Sequence, residues 1–277
     1  MLYSASILDT SLLRALIEKP SSDYDLEVPY GVTALNFKFT DFTGLKSITI
    51  PHTVTSISSQ YMLGNTNVTS ITIPNSVTYL GNSLFDSSSI ANSLKTIIFE
   101  SGSTITTIPG SFCNGCTTLE SINLPDSVTS IGINGFAGTS NLTSINIPTS
   151  LQEIKNYAFQ NSGLVVSLVF PSTFKTLGTN AFAYSSNLTG VDFSACTSLT
   201  AIPASAFRSC TALDTIELPS SLTSIGNYAF YGCTTIEELH IPSTVTSIGT
   251  NAFRNVKHVY YSGSATSSNN WGALAFN

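Results

Sequence analysis

The chain has 277 residues, a formal net charge of −6, and 9% charged against 42% hydrophobic residues. That much apolar surface excludes disorder. The densest apolar run, Leu164 to Phe170, is far short of the ~20 residues a membrane span needs. The acidic balance disfavours general binding to nucleic acid or anionic lipid. The 43 serines and 36 threonines describe a hydroxyl-coated folded protein and name no chemistry.

In chain order, Met1 to Lys19 lacks the basic n-region, apolar core and small-residue cleavage site of a signal peptide. Asp9 to Lys19 instead predicts a short amphipathic helix. Asp9 or Thr10 caps it, Leu12, Leu13, Leu16 and Ile17 form its apolar face, and Pro20 stops it. Residues 1–22 are therefore expected to form an N-terminal cap. From residue 23 the chain repeats. Thr69-Ser-Ile-Thr-Ile-Pro-Asn-Ser-Val-Thr-Tyr-Leu-Gly aligns with Glu120-Ser-Ile-Asn-Leu-Pro-Asp-Ser-Val-Thr-Ser-Ile-Gly. The shared pattern is L-x-x-I-x-I-P-x-S-V-T-S-I-G-x-x-A-F-x-G-C. Its leading position falls at Leu45, Val68, Leu94, Leu119, Leu142, Val165, Leu188, Leu213 and Ile236. The interval is 23 residues except for 26 after Val68 and 25 after Leu94 and Leu188, which mark local insertions. A divergent coil begins near Asp23 and a shortened one at Val256. Residues 23–261 are thus expected to form a solenoid of about ten coils, and 262–277, with Trp271, a C-terminal cap. The caps are needed because an open solenoid exposes its core and strand edges. Tyr260, Tyr261 and Trp271 are expected to cover the last coil, with carbohydrate stacking as the other reading of Trp271.

Each column has a physical reason. Alternation in L-x-x-I-x-I predicts a short strand with one buried face. The proline after it (Pro51, Pro74, Pro125, Pro148, Pro171, Pro219, Pro242) lacks an N–H and ends the strand. Val and Ile of V-T-S-I point back inside, and the following glycine is expected in a turn of positive φ. The Ala-Phe pair places one ring in every coil. No coil buries its own apolar face, whereas stacked copies make one continuous core. At ~4.8 Å per coil, ten coils span about 50 Å.

The repeat resembles the BspA-like, treponemal-type leucine-rich repeat family over residues 23–261. A general leucine-rich repeat carries Asn or Cys where this chain has Thr53, Ser76, Ser127, Ser150, Thr173, Ser221 and Thr244, so its ladder is expected to be built on hydroxyls. The resemblance implies a leucine-rich repeat solenoid with a parallel sheet on one face and short turns, 3-10 segments and irregular strands on the other. It implies recognition or adhesion at a microbial cell surface, or on a phage virion.

Catalytic patterns are absent: there is no G-x-S-x-G, H-E-x-x-H, G-x-G-x-x-G or P-loop. His52, His240 and His258 have no matching nucleophile motif, and the chain is read as no enzyme. Cys113-Asn-Gly-Cys116 lacks the second pair or spaced histidine that a zinc site needs. Cys116, Cys210 and Cys233 share a repeat column and are expected to be free, buried thiols, and no metal or cofactor is implied. The sequons at Asn67, Asn141 and Asn187 follow from the repeat consensus. The outward strand positions say more. The first half of that face is neutral apart from Lys46 and Lys95, whereas its last third gathers Asp192, Asp214, Glu217, Glu237 and Glu238, bordered by His240, His258 and Tyr260. Asp192, Glu217 and His240 are read as one column, Asp214 and Glu237 as another. Like charges on adjacent strands repel, so these eight residues are the candidate binding site for a protein or host-surface ligand, with an anchor at Val166 and Val169. The alternative is a structural spacer whose strand face binds nothing specific.

Overall fold

Alternate residues of the repeat can be buried together only if successive coils stack in register, and they do. The computed structural model describes residues 23–264 except 37, 40, 41, 43, 59, 61, 65 and 89–92, together with Ile7–Leu8, 271–272 and Ala275–Phe276. It is a parallel β-solenoid of about ten turns. Among the described residues there is no helix, hence none long and apolar enough to cross a membrane. The expected helix over Asp9 to Lys19 lies outside the described residues. Ile7–Leu8 form a strand parallel to Ala34–Leu35.

Front strands arise from L-x-x-I-x-I, as in Ser70–Ile73, Thr96–Phe99 and Ser121–Asn123. Two-residue rear strands arise from the S-I of V-T-S-I, as in Ser130–Ile131 and Glu153–Ile154. All pairings between coils are parallel, and the rear side carries turns and short strands with no 3-10 segment among the described residues. Between the sheets lies a ladder of buried rings, Phe85, Phe112, Phe136, Phe159, Phe182, Phe207, Phe230 and Phe253. The first two contacts are edge-on; from Phe136 onward the rings stack at 5.2–6.1 Å.

Hydroxyls knit the coils together, as the sequence led one to expect. Ser76 Oγ donates to Val54 O at 2.7 Å, Ser127 Oγ to Ile105 O at 2.7 Å, Thr173 Oγ1 to Leu151 O at 2.8 Å and Thr244 Oγ1 to Leu222 O at 2.6 Å. The next column donates as well: Cys210 Sγ to Phe182 O at 3.1 Å, Cys233 Sγ to Phe207 O at 3.0 Å and Ser185 Oγ to Phe159 O at 2.7 Å. These cysteines are free and buried, and they act as donors as well as filling space.

Two expectations need correction. The glycines of the S-I-G motif do not adopt positive φ. They are there because the coils touch: a Cβ on Gly132 would lie 2.5 Å from Gly110 N, and one on Gly178 only 2.3 Å from Asn156 N. Positive φ sits instead on non-glycine residues two before the ladder phenylalanine, at Asn134, Tyr157, Asn180, Ser205, Tyr228 and Asn251. Secondly, Val165 does not lead its coil. It is exposed while Leu164 is fully buried, and Val166 packs partly against the core. One extra residue there slides the outer valines off the repeat register.

Both sheets are interrupted, for local reasons. The rear sheet breaks between Tyr79–Leu80 and Thr107–Ile108, and again between Thr176–Leu177 and Ala201–Ile202. At six unbroken interfaces the residue after the rear strand donates to the previous coil, as Gly132 N does to Ile108 O at 2.8 Å. At both breaks that residue is a proline, Pro109 or Pro203, which has no N–H to give. On the front, the coil of Leu142 forms no strand. Its Asn146 side chain takes the place of backbone, accepting from Leu124 N at 2.7 Å and donating to Leu124 O at 2.8 Å.

Candidate recognition face

The C-terminal front strands present the acidic residues identified from the sequence. Asp192 and Glu217 are register partners, in line with the column reading. The column does not continue to His240, because Thr215–Glu217 and Glu238–Ile241 share no ladder. Between those two strands the face opens into a cleft of ≈350 Å³. Asp214, Glu217, Glu238 and His240 stand at its rim, and Ile216, Leu218, Ile241 and Pro242 line it.

The eight candidate residues therefore divide. Asp214, Glu217, Glu238 and His240 meet at the cleft. Glu237 is held by Lys257 Nζ. Asp192 is half-buried and its Oδ1 accepts from Ser194 N at 2.8 Å, so it fixes a turn in its own coil. Tyr260 stacks on His240 with ring centroids 4.8 Å apart, and its hydroxyl reaches Glu238 Oε1 at 3.4 Å. His258 is exposed and in register with Glu238. Glu238 Oε2 lies 3.9 Å from His240 Nε2. Among the described residues, neither Asp214 nor Glu217 has a lysine or arginine partner. Three carboxylates thus share a cleft with an imidazole that is itself stacked on Tyr260, an arrangement suited to a cationic group.

Other candidates fall away. Trp271 is buried, set edge-on to Tyr261 at 5.9 Å, with its carbonyl accepting from Phe253 N, so it is placed to close the last coil and not to stack a sugar. Cys113 Sγ donates to Cys116 Sγ at 2.7 Å, and Cys116 Sγ to Phe85 O at 2.9 Å. No group of three or more His, Cys, Asp or Glu able to hold a metal occurs among the described residues. A larger opening, ≈680 Å³, lies at the first rear break beside Tyr79, Ile133 and Lys155, and it gathers no acid, base or nucleophile set. Sequence reading missed the breaks in both sheets. Their signals, proline in the glycine column and Asn146 in a strand, were present.

Stacked parallel coils with a solvent-facing strand surface and a buried ring ladder define the leucine-rich-repeat class of scaffold. The profile of the BspA type Leucine rich repeat region matches in six copies, over residues 24–139, 106–202 and 191–276. The chain belongs to the BspA-type leucine-rich repeat family. Among solved structures it is similar to the T. pallidum leucine-rich repeat protein, at 27% identity and a TM-score of 0.54 over 68% of this chain and 81% of that one. It also matches a leucine-rich repeat protein of Bacteroides ovatus (22% identity, TM-score 0.47, 84% and 71% coverage). A leucine-rich cell surface protein of Faecalibacterium prausnitzii matches at 18% identity (TM-score 0.44, 92% and 87% coverage). No curated protein matches. The family suggests protein-interaction or adhesion modules, its solenoids are generally non-enzymatic scaffolds, and no catalytic family is indicated.

Proposed function

We propose that the protein is a non-enzymatic recognition module that grips a basic segment of a protein or host-surface ligand on its front face, at a microbial cell surface or on a phage virion. The observation that carries this is the cleft between Thr215–Glu217 and Glu238–Ile241. There the strands forgo their ladder, and Asp214, Glu217 and Glu238 converge without a lysine or arginine partner among the described residues. Burying apolar walls beside unmatched carboxylates favours a lysine or arginine whose aliphatic stem lies on Ile216 and Leu218. Contacts of this kind weaken as salt rises, because exposed charges are screened beyond ~8 Å at physiological ionic strength.

Panning random dodecapeptides against the immobilised protein tests the reading. Peptides rich in Lys and Arg should emerge and lose binding to the Asp214→Asn, Glu217→Gln, Glu238→Gln triple variant, while Lys46→Ala near the opposite end leaves them unaffected. Basic peptides that bind parent and triple variant equally would favour the spacer reading.

A further inference from the structure

A second charged surface lies off the front face, on the flank that comes after the rear strands. Arg208, Tyr231 and Arg254 each succeed the ladder phenylalanine of three successive coils, so stacking places them in one column. The Tyr231 ring lies 5.3 Å from Arg208 Cζ and 5.7 Å from Arg254 Cζ. Tyr184 and Tyr228 complete the surround of Arg208, with centroids 5.6 and 5.8 Å from its Cζ. Both tyrosines remain exposed, at 43% and 37%.

This arrangement is more than a solvated charge pair. Arg208 and Arg254 are the only arginines among the described residues, and neither has a carboxylate partner there. The chain carries sixteen acidic residues against ten basic ones, so unpaired arginines on aromatic rings are not explained by a shortage of acids. Arg208 Nε is buried with no hydrogen-bond partner. Three rings thus desolvate one edge of the guanidinium and hold its plane, which limits the entropy lost when the remaining N–H groups grip a partner. A fixed guanidinium fork matches the two oxygens of a carboxylate, and exposed tyrosine beside arginine is the composition of binding hot spots.

We propose that this Arg–Tyr flank is a second docking surface, and that its occupant is a protein segment presenting a carboxylate among apolar or aromatic neighbours. Charge complementarity favours this occupant over an acidic polysaccharide. A polyanion binds in proportion to the number of cations it neutralises and would face the field of a chain with net charge −6, whereas a single side-chain carboxylate senses mainly the local fork and rings. The proposal does not depend on the acidic cleft, which lies on the front strands.

The same dodecapeptide panning tests it through a different class of peptide. Peptides containing Asp or Glu beside apolar residues should emerge, and their binding should fall by roughly tenfold or more in Arg254→Gln, the scale of a hot-spot residue. Arg254 is exposed, so that variant should keep the parent's circular dichroism and melting temperature. Arg208→Lys, which keeps the charge and loses the fork, should weaken the same peptides comparably. The Asp214→Asn, Glu217→Gln, Glu238→Gln variant should bind them as the parent does. No acidic peptide emerging, acidic peptides indifferent to Arg254→Gln and Arg208→Lys, or arginine-dependent binding found for hyaluronate or heparin but not for peptides would each overturn the proposal.

Discussion

Tyr157 holds a φ of 62° in a slot that the adjacent coils fill with Asn134 at 55° and Asn180 at 55°. The left-handed region costs most L-residues ~1–2 kcal/mol, and asparagine less, because its short side chain hydrogen-bonds locally. Tyr157→Asn should therefore stabilise the protein by about 0.5–1 kcal/mol, read as a higher denaturant midpoint at unchanged m-value. The glycine column behaves in the opposite sense. Gly178→Ala forces a methyl to within 2.3 Å of the Asn156 nitrogen and should destabilise as overpacking does, by ~1–3 kcal/mol. That a glycine was required was legible in the repeat. Its reason was not, because positive φ and close approach write the same letter in a single sequence. The thiols give a pH signature. Burial holds Cys210 well above the usual value of 9.0, and pushes Cys233 up to about 12 and Cys196 up to about 11. Their folded values exceed the unfolded ones, so their contribution to stability is complete below about pH 9 and is lost as pH rises towards 11–12. Each thiol that ionises only on unfolding changes stability by about 1.4 kcal/mol per pH unit in that window. Cys233→Ala should flatten the alkaline slope by that amount in urea titrations from about pH 9 to 11. Iodoacetamide should leave the native thiols unlabelled, and no peptide should join Cys210 to Cys233.

A coil is held by what its neighbours supply, and its columns differ in what they lose on mutation. Phe159 is fully buried between rings at 5.4 and 5.2 Å, so Phe159→Ala should cost ~3–5 kcal/mol through the cavity it leaves. Thr143 is exposed, and Thr143→Ala should stay within ~0.5 kcal/mol. Equal losses in parallel urea titrations would show that the columns do not carry these roles. Most of this was readable from sequence, because burial in a solenoid tracks the period directly: the ring ladder, the inward Val and Ile, and the hydroxyl ladder of Ser127, Ser221 and Thr244 all sit where the repeat puts them. The departures were harder. Leu164 replaces Val165 because a one-residue slip leaves the apolar composition of the segment unchanged. The candidate site was half legible. The repeat identified the outward acids, but it gave no sign that Glu237 would be taken by Lys257 or that Asp192 would cap its own turn. Nor did it show that the cleft would open beside Glu217, since strand pairing between coils depends on relative tilt, which no column encodes.

At the scale of the molecule the interruptions are staggered. Where the rear sheet parts, before Thr107 and before Ala201, the front strands of the same two coils are paired: Ser70 with Thr96, and Ser167 with Gly190. Where the front parts, before Glu238, the rear strands are paired through Ser224 and Ser247. The front gap around Leu142 is likewise backed by Ser130 with Glu153 and Glu153 with Thr176. At these interfaces the coils are held by a ladder on one side while open on the other. In a solenoid, cooperativity passes only through nearest-neighbour interfaces, so a joint keeping one ladder still couples the units on either side. The parent should accordingly melt in one transition. Proline substitution removes one rear donor and adds bulk where a Cβ is already unwelcome, at 2.5 Å for Gly132 and 2.3 Å for Gly249. The rear bonds lost are alike: Gly132 N to Ile108 O and Gly249 N to Ile225 O, each 2.8 Å. The interfaces differ on the front. Behind Gly132 the front strands are paired, Thr96 with Ser121, whereas behind Gly249 they are already apart at the acidic cleft. Gly132→Pro should lower the melting temperature and keep a single transition. Gly249→Pro should leave that joint with no front ladder and only the Thr246 and Ser247 bonds to Thr223 O on the rear, and release the coils after residue 236 as a separate, earlier transition in calorimetry. Hydrogen exchange should then show protection lost first in Glu238–Ile241 and His258–Tyr261. One coincident transition for Gly249→Pro would mean that the ring ladder, with Phe230 against Phe253 at 6.1 Å, and the remaining bonds to Thr223 O couple the coils without a complete ladder on either face.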